Sequence, residues 1–392
     1  MSLLSMWKAN KDEFAHKQIQ QLVSLAGDGN LRDGNKTSKE LREFFAAIPT
    51  IDLARYLATC LETSFGDSGL VLQDIINELG SRLDYEVRPG LYRGKPSEIG
   101  FDGIWKAGTN HLVVEVKTTD AYAINLEKIA DYRKELIKEG SIAESSSILI
   151  VVGRKDTNSL EAQVRGSRHA WDIRIISADA LLRIVKIKES ADNKKTISKI
   201  RSVLSPQELT KLDFVVDLLA TTAEDIQDAT SEDEDEQTDM PMGISGKKIK
   251  KFTPVAFNEE VAKAVEKHLK LVLKKTTRSL YVSTDQSVSV RAVVSKKYVR
   301  GDGSGYWYAF HPYYKDPLKE YKKNYIAFGC GSPEKILLFP LSEFVEWLPQ
   351  MNTTEREDRV YWHVIYQEAN GVLKLHFKEG AAAPDVSKYK VT

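Results

Sequence analysis

The stretch HLVVEVKTTD, residues 111–120, decides how the middle of this chain is interpreted. Its valine and leucine side chains predict a buried β-strand, yet Glu115 and Lys117 lie in it two residues apart. Side chains alternate along a strand, so both charges lie on the same face. A charged side chain is rarely buried without a partner, because an unpaired charge costs several kcal/mol. The two charges therefore either lie in water at a sheet edge or hold a ligand.

The preceding segment FDGIWKAGTN, residues 101–110, predicts the first strand of a β-hairpin. Gly108 and Thr109 suit a two-residue turn with glycine in the first central position. A turn there pairs Asp102 with Glu115, with their Cβ atoms about 5 Å apart. Two carboxylates at one point are typical of a Mg²⁺ site, and Lys117 could stabilise the charge of an attacked phosphate or orient the attacking water. The alternative is an exposed cross-strand salt bridge among the same three residues.

Helices and strands are predicted to surround this hairpin. A helix over 70–83 and a strand over 85–89 precede it, and the helix INLEKIADYRKELIKEG follows it. The strands SSSILIVVGR, residues 145–154, and DIRIIS, residues 172–177, come next. The hairpin is therefore expected to lie in a covered sheet, which favours the ligand interpretation over an exposed salt bridge.

This order of elements resembles the core of the PD-(D/E)XK nuclease superfamily, over roughly residues 67–190. The resemblance implies an α/β, restriction-endonuclease-like fold, a mixed sheet flanked by helices. It also implies that Asp102 and Glu115 bind Mg²⁺, for which Mn²⁺ may substitute, and that Lys117 assists catalysis.

The chain departs from the family pattern at two helices and before the first acid. Phe101 stands where the motif is named for proline. Many members carry a metal-binding Glu on the first helix, where this chain has Gln73 or Asp74 facing roughly the right way. Some relatives use a Gln and a Tyr four residues apart on the next helix, where this chain has Lys128 and Tyr132. Gln73, Asp74 and Tyr132 are therefore candidates for an additional part of the site.

Composition restricts the class of protein. The chain has 392 residues, 42% of them hydrophobic, and only two cysteines, Cys60 and Cys330. Two distant cysteines form neither a disulfide framework nor a zinc pattern, so a reducing cytoplasm is expected. No apolar run approaches the roughly 20 residues of a membrane helix, and the first residues lack the features of a signal peptide.

The net charge of zero hides an uneven distribution. Residues 224–239 contain nine acids and no Lys or Arg, which predicts a disordered linker. Residues 247–392 carry 25 Lys and Arg against 16 Asp and Glu, a net charge of +9. The helix SPQELTKLDFVVDLLATT, with Ser205 as its N-cap, is predicted before the linker. We predict five segments: a helical region over 1–66, a nuclease domain over 67–190, a helical extension over 191–223, an acidic linker over 224–246 and a basic α+β domain over 247–392.

The C-terminal segment is rich in short aromatic strands, which predict a mostly antiparallel sheet with at least one helix. Aromatic rings can stack on bases while lysines follow phosphates, so this segment is expected to contact nucleic acid. The alternative is that the aromatic residues fill the core of the domain. The candidate contacts there are Lys247, Lys248, Tyr306, Trp307, Lys322 and Lys323.

Arg165 and Arg168 lie near a predicted helix end in the middle domain. A guanidinium group presents a planar fork of donors that fits phosphate, so both are candidate nucleic-acid contacts. They could equally be ordinary surface charges.

Together these features predict a Mg²⁺-dependent DNA endonuclease whose basic C-terminal domain recognises the substrate. The resemblance to restriction enzymes suggests defence of a prokaryote against foreign DNA, and cutting both strands suggests a homodimer. Three alternatives stay open. They are a nuclease gated by a ligand or partner, a catalytically inactive DNA-binding protein, and a nuclease that acts on RNA.

Overall fold

The computed structural model divides the chain into two compact units. The first comprises Met1–Lys188 and Ile197–Leu218, and the second comprises Glu189–Thr196 and Leu219–Thr392. The predicted helical extension over 191–223 is thus shared between the units. The structure describes residues 1–63, 65–93, 98–118, 123–153, 157–206, 215–216, 218–219, 222, 254–300, 303–355, 360–369, 372–378 and 384–391.

Several predictions fall on residues that the structure does not describe. The acidic linker over 224–246 lies outside the described residues, as do Lys247 and Lys248. Most of the helix predicted from Ser205 onward also lies outside them.

The first unit begins with five helices, as the sequence predicts. Their apolar faces meet in a core around Phe44, where Trp7 packs edge-on at 6.1 Å and Tyr56 at 6.2 Å between ring centroids. Asn35 caps the longest helix of the first four by accepting a hydrogen bond from the Ser38 amide. These helices are α1 (Leu3–Ala9), α2 (Lys11–Ala15), α3 (Ile19–Leu25), α4 (Lys36–Ala47) and α5 (Thr50–Glu62).

A five-stranded mixed sheet follows, in the order β1-β2-β3-β4-β5. The first three strands pair antiparallel and the last three pair parallel. The strands are β1 (Glu86–Pro89), β2 (Gly103–Ala107), β3 (Asn110–Lys117), β4 (Ser147–Val152) and β5 (Ile173–Ser177). The helices around it are α6 (Ser68–Arg82), α7 (Leu126–Lys138), α8 (Asn158–Arg165) and α9 (Ala178–Lys188), followed by α10 (Lys194–Ser202).

Helices cover both faces of the central strands, which explains why β4 is buried along its whole length. On one face Val113 of β3 shares a hydrophobic core with Ile129 of α7 and Leu160 of α8. On the other face Trp105 of β2 packs against Gly80 of α6. The sequence of a strand that is covered on both faces is almost entirely apolar, and that of β4, SILIVV, fits this rule.

The contact between Gly80 and Trp105 leaves no room for a methyl group. A Cβ at position 80 would lie 2.5 Å from the Trp105 ring, which is fully buried. Gly80→Ala should gain about 1 kcal/mol of helix propensity but lose about 1–3 kcal/mol to overpacking, so the clash should prevail. We expect faster hydrogen exchange in α6 and β2 peptides of Gly80→Ala. The neighbouring exposed substitution Ser81→Ala should leave those rates unchanged, and equal rates in both variants would contradict this account.

The second unit contains two five-stranded sheets rather than one, and their strand pairs are mostly antiparallel, as predicted. One has the order β12-β11-β8-β7-β6, and β8 and β11 in it run parallel. The other has the order β13-β14-β10-β9, with β15 also paired to β14. The strands are β6 (Leu273–Lys275), β7 (Leu280–Ser283), β8 (Val288–Ser295), β9 (Tyr298–Arg300), β10 (Gly303–Phe310), β11 (Lys323–Cys330), β12 (Ile336–Pro340), β13 (Thr353–Glu355), β14 (Val360–Ala369) and β15 (Val372–His376).

The helices of the second unit are α11 (Pro254–Leu269) and α12 (Leu341–Trp347), with short 3₁₀ helices over Pro312–Lys319, Leu348–Gln350 and Ser387–Tyr389. α11 packs on β8 and β11. Among the described residues no helix is long and apolar enough to cross a membrane.

The described part of the chain is a mixed α/β structure, with one mixed sheet in the first unit and two sheets in the second.

Candidate active site

The β2–β3 hairpin brings Asp102 close to Glu115 at its open end. Ala107 pairs with Asn110 and Gly103 pairs with Val114, so the turn is centred where the sequence predicts it. Gly108 has a φ of +58°, which a residue with a Cβ rarely adopts. The predicted register is confirmed from Gly103 to Ala107. Asp102 precedes this ladder and is offset from it by one residue, because its amide donates at 3.0 Å to the carbonyl of Val114, which is already the partner of Gly103.

The Asp102 carboxyl is held in place by the neighbouring strand. The Val116 amide donates a 2.6 Å hydrogen bond to Asp102 Oδ2. Among the described residues, no side chain donates a hydrogen bond to this carboxyl. Burial, and after it the Glu115 charge, raise the pKa of Asp102 to about 7, against the lowering effects of the Val116 amide and of Lys117. Near neutral pH this carboxyl therefore stands between its two protonation states.

Lys117 lies against Glu115. Its Nζ is 2.5 Å from Glu115 Oε1, and the two side chains are 31% and 16% exposed. Side chains alternate along β3, so both share the face of Val113, which is the face covered by α7. The structure thus brings together Asp102, Glu115 and Lys117, and leaves the lysine partly open to solvent.

The donor set at this point consists of two carboxylates. Carboxylate oxygens are hard ligands, and Mg²⁺ usually takes one or two of them and completes its shell with water and phosphate. Two neighbouring carboxylates match these ions in ligand type and number, and a cation between them would offset their mutual repulsion. Within the described ranges, no group of three or more His, Cys, Asp or Glu side chains could hold a metal ion.

Helix α6 contributes amides rather than an acid. Gln73 Nε2 donates to the Asp102 carbonyl oxygen at 3.1 Å, and Asn77 Nδ2 donates to the same oxygen at 2.8 Å. Asn77 was missed from the sequence. The available signal was a polar residue four positions after Gln73 in an otherwise apolar helix, which places both amides on one face.

Asp74 belongs to a different cluster. Its carboxylate accepts a 2.8 Å hydrogen bond from Arg42 Nε, and the Tyr92 hydroxyl donates to its other oxygen. Burial raises the pKa of Asp74 to about 6, against the opposing effect of Arg42. The structure therefore does not bring Asp74 together with Asp102 and Glu115.

Tyr132 lies beside the loop that leads to Asp102. A Cβ at Gly100 would lie 3.0 Å from the Tyr132 ring. Lys128 Nζ lies 5.4 Å from the centre of the same ring. A hydrogen bond with Tyr132 raises the pKa of Lys128, and the Glu115 charge adds to this effect. Lys128 and Tyr132 thus stand next to the carboxylate pair.

The two candidate arginines differ in their surroundings. Arg168 donates to Glu127, and His169 Nε2 lies 2.9 Å from the same carboxylate. These hydrogen bonds, that of Arg168 first, lower the pKa of Glu127 to about 2. Arg165 is exposed at the end of α8 and lines a cavity of about 290 Å³ beside β5. To bind a phosphate, Arg168 would have to give up its contact with Glu127. Arg165 is exposed at the surface, so a phosphate would have access to it.

The candidate aromatic contacts of the second unit are core residues. Tyr306 and Trp307 are only 1% and 2% exposed, and they lie on opposite faces of β10 in two hydrophobic clusters. Their rings are not accessible to bases, which corrects the expectation that they stack on nucleic acid. Lys322 and Lys323 are exposed. An exposed ring that the sequence did not distinguish is Trp171 in the first unit, at 77%.

The raised pKa of Asp102 predicts a pH dependence of stability. The folded protein favours the protonated carboxyl, so the contribution of Asp102 to stability is full near pH 4 and is lost as the pH rises through about 7. Asp102→Asn should abolish this loss and stabilise the chain relative to wild type at pH 8 more than at pH 5. Hydrogen-exchange protection of the β2 and β3 peptides in EDTA, corrected for the intrinsic pH dependence of exchange, measures the difference. The exposed substitution Asp131→Asn should show no such change, and a pH-independent effect of Asp102→Asn would contradict the assignment.

No protein-family model matches the chain, and a comparison with curated proteins found no match either. Function is therefore inferred from the residues themselves. The arrangement that carries most chemical information is the group formed by Asp102, Glu115 and Lys117 at the end of the β2–β3 hairpin.

Proposed function

We propose that this chain is a Mg²⁺-dependent endonuclease that hydrolyses phosphodiester bonds in DNA. The observation that supports the proposal best is the closeness of Asp102 to Glu115, where a carboxyl of raised pKa lies beside a second acid and Lys117. We also propose that the β1–β5 sheet and its helices have a restriction-endonuclease-like fold. The order helix, strand, Asp-bearing hairpin, Glu-x-Lys strand, helix and strand supports this.

Asp102 and Glu115 would hold the metal ion. When bound, Mg²⁺ or Mn²⁺ supplies Lewis-acid stabilisation of the charge on the scissile phosphate. Cation binding requires Asp102 to lose its proton, because only the carboxylate offers both oxygens as ligands. Affinity for the metal should therefore rise with pH through about 7.

Lys117 would act on the phosphate directly. An ammonium group has three donors, and the 2.5 Å contact with Glu115 uses one of them. Its partial exposure leaves the remaining donors accessible to a phosphate oxygen. The Glu115 contact fixes the direction of the flexible lysine stem, so that the positive charge is in place before the transition state forms.

DNA is the proposed substrate because the C-terminal segment, residues 247–392, is basic and has a net charge of +9. Exposed Lys322 and Lys323 are suited to phosphate contacts there. Defence of a prokaryote against foreign DNA, and a homodimer that cuts both strands, are proposed by analogy with restriction enzymes alone. Cleavage of RNA is the alternative, and it is tested by comparing RNA with DNA of the same sequence.

A catalytically inactive nucleic-acid-binding protein is the second candidate. The observation that favours it is the absence of a third acid beside Asp102 and Glu115 in the described part of the chain, since Asp74 pairs with Arg42. A nuclease gated by a ligand or partner would behave like this candidate until its activator is added.

Metal titration separates these candidates before any substrate is chosen. Isothermal titration of the metal-free protein with Mn²⁺ should show binding that is lost in Glu115→Gln and Asp102→Asn and kept in Asp131→Asn. Labelled duplex DNA and RNA of the same sequence are then offered with Mg²⁺. Binding of metal with cleavage of DNA supports the proposal, and cleavage of RNA alone would change the substrate. If the wild-type chain does not bind Mn²⁺, or if Glu115→Gln binds it equally well, the proposed function is wrong.

A further inference from the structure

We infer that Gln73 and Asn77 are positioning residues that hold Asp102 in place through its backbone carbonyl. Their amide groups donate to the Asp102 oxygen at 3.1 Å and 2.8 Å. They lie four residues apart on α6, which brings both side chains to the same face of the helix. The Gly90 amide donates a third hydrogen bond to the same oxygen at 2.9 Å. Three donors from two separate segments thus converge on one carbonyl.

The neighbours of Asn77 keep its amide directed at Asp102. Trp105 Nε1 donates to Asn77 Oδ1 at 2.9 Å, which fixes which end of the amide faces the carbonyl. A Cβ at Gly103 would lie 2.2 Å from Asn77 Oδ1, so the amide occupies space that any other residue at 103 would fill. Gln73 and Asn77 are both 4% exposed. Buried amides with defined partners are specific contacts, because water cannot replace a lost partner there.

This arrangement counteracts the repulsion within the site. Asp102 and Glu115 are neighbouring acids, and two neighbouring carboxylates repel each other when both are charged. Asp102 lies one residue before the first residue of β2, Gly103. Its carboxyl is joined to β3 by the single hydrogen bond from the Val116 amide. The amides of α6 hold the backbone from the opposite side and so keep the carboxyl against Val116 and near Glu115.

The test exploits that hydrogen bond. Asn77→Leu and Gln73→Met keep the approximate volume of each side chain and remove the donor. In the metal-free protein, we expect the Val116 amide to exchange with solvent about tenfold faster in each variant, relative to the Val113 amide of the same strand. Asn77→Asp keeps the acceptor for Trp105 and removes the donor, so it should behave like Asn77→Leu.

A loss of stability by itself must be separated from a loss of positioning. Leu79→Ala opens a cavity on the same helix without touching Asp102, and Leu79 is fully buried. This control should speed exchange at Val113 and Val116 to the same extent, because it acts on the fold as a whole. Unchanged exchange of Val116 relative to Val113 in folded Asn77→Leu would overturn the inference.

The catalytic part of the inference rests on the proposed function. If Asp102 holds a metal ion, loss of an outer partner should weaken Mn²⁺ binding about 10–100-fold, with a matching loss in the rate of cleavage. If the wild-type chain neither binds metal nor cleaves, the proposed function fails while the amide-exchange result still decides whether Gln73 and Asn77 position Asp102. Wild-type metal binding with unchanged affinity in both variants would contradict the positioning role.

Discussion

Lys117→Met should lower the single-turnover rate of DNA cleavage by about 10²–10³-fold. The substitution keeps most of the apolar stem and removes the charge. The Lys117 ammonium is 2.5 Å from Glu115 and partly exposed, so a phosphate oxygen of a bound substrate would have access to it. Because this interaction strengthens as charge develops on the phosphate, the loss should appear in the rate constant rather than in substrate binding.

The control for this prediction is Lys138→Met. Lys138 is exposed near the end of α7 in the same unit, so this change removes one positive charge far from Glu115 in the fold. It should alter cleavage less than twofold at moderate salt, because exposed charges are screened. Equal losses in both variants would mean that the general charge of the unit matters and that Lys117 has no special role.

Asp192→Ala should have the largest effect on stability, about 3–5 kcal/mol in the second unit. Asp192 is fully buried and accepts hydrogen bonds from the Thr277 hydroxyl at 2.5 Å and the Ser279 hydroxyl at 2.8 Å. The side chains of Arg278 and Arg291 lie 3.4 Å and 3.5 Å from its carboxylate. Removing the acid would leave two largely buried guanidinium groups without their shared counter-charge.

Hydrogen exchange of β8 measures this loss directly, since Arg291 lies in that strand. Two-state unfolding cannot be assumed for a chain of two units, so a local readout is preferable. Glu260→Ala, at an exposed acid of the same unit, should change stability by less than about 0.5 kcal/mol. Similar exchange rates in the two variants would show that the buried ion pairs around Asp192 contribute little.

The same cluster has a defined response to acid. Burial alone would raise the pKa of Asp192, but Arg291, Arg278 and the two hydroxyls together lower it below its ordinary value of 3.8. Its contribution is therefore present above about pH 4 and is lost as the pH falls through the lowered pKa. This direction is opposite to that of Asp102, whose raised pKa removes stability as the pH increases.

The hairpin could be predicted from the sequence because its determinants are local. The glycine at 108 places the turn, and the alternation of β3 fixes which residues share a face. The register from Gly103 to Ala107, and with it the closeness of Asp102 to Glu115, follows from these two features. The aromatic strands of the second unit were likewise predicted from short patterns of apolar residues and turns.

Contacts between distant segments could not be predicted in the same way. Asp74 is 32 residues from Arg42, and nothing in the helix pattern indicates that this pair forms. Three elements separate β8 from β11 in the sequence, so their parallel pairing could not be predicted from short sequence patterns. Tyr306 and Trp307 were misinterpreted because β10 is covered on both faces, and alternation then no longer separates core from surface.

The most direct test of a metal-dependent nuclease is incubation of supercoiled plasmid with the purified chain in Mg²⁺, Mn²⁺ or EDTA. Lys117→Ala and Glu115→Gln are run alongside, with Asp131→Asn as the matched control. The account predicts nicking or linearisation that requires the metal, disappears in the first two variants and persists in the control. Intact plasmid with both metals and a folded wild-type chain, or cleavage that survives in Glu115→Gln, would contradict it.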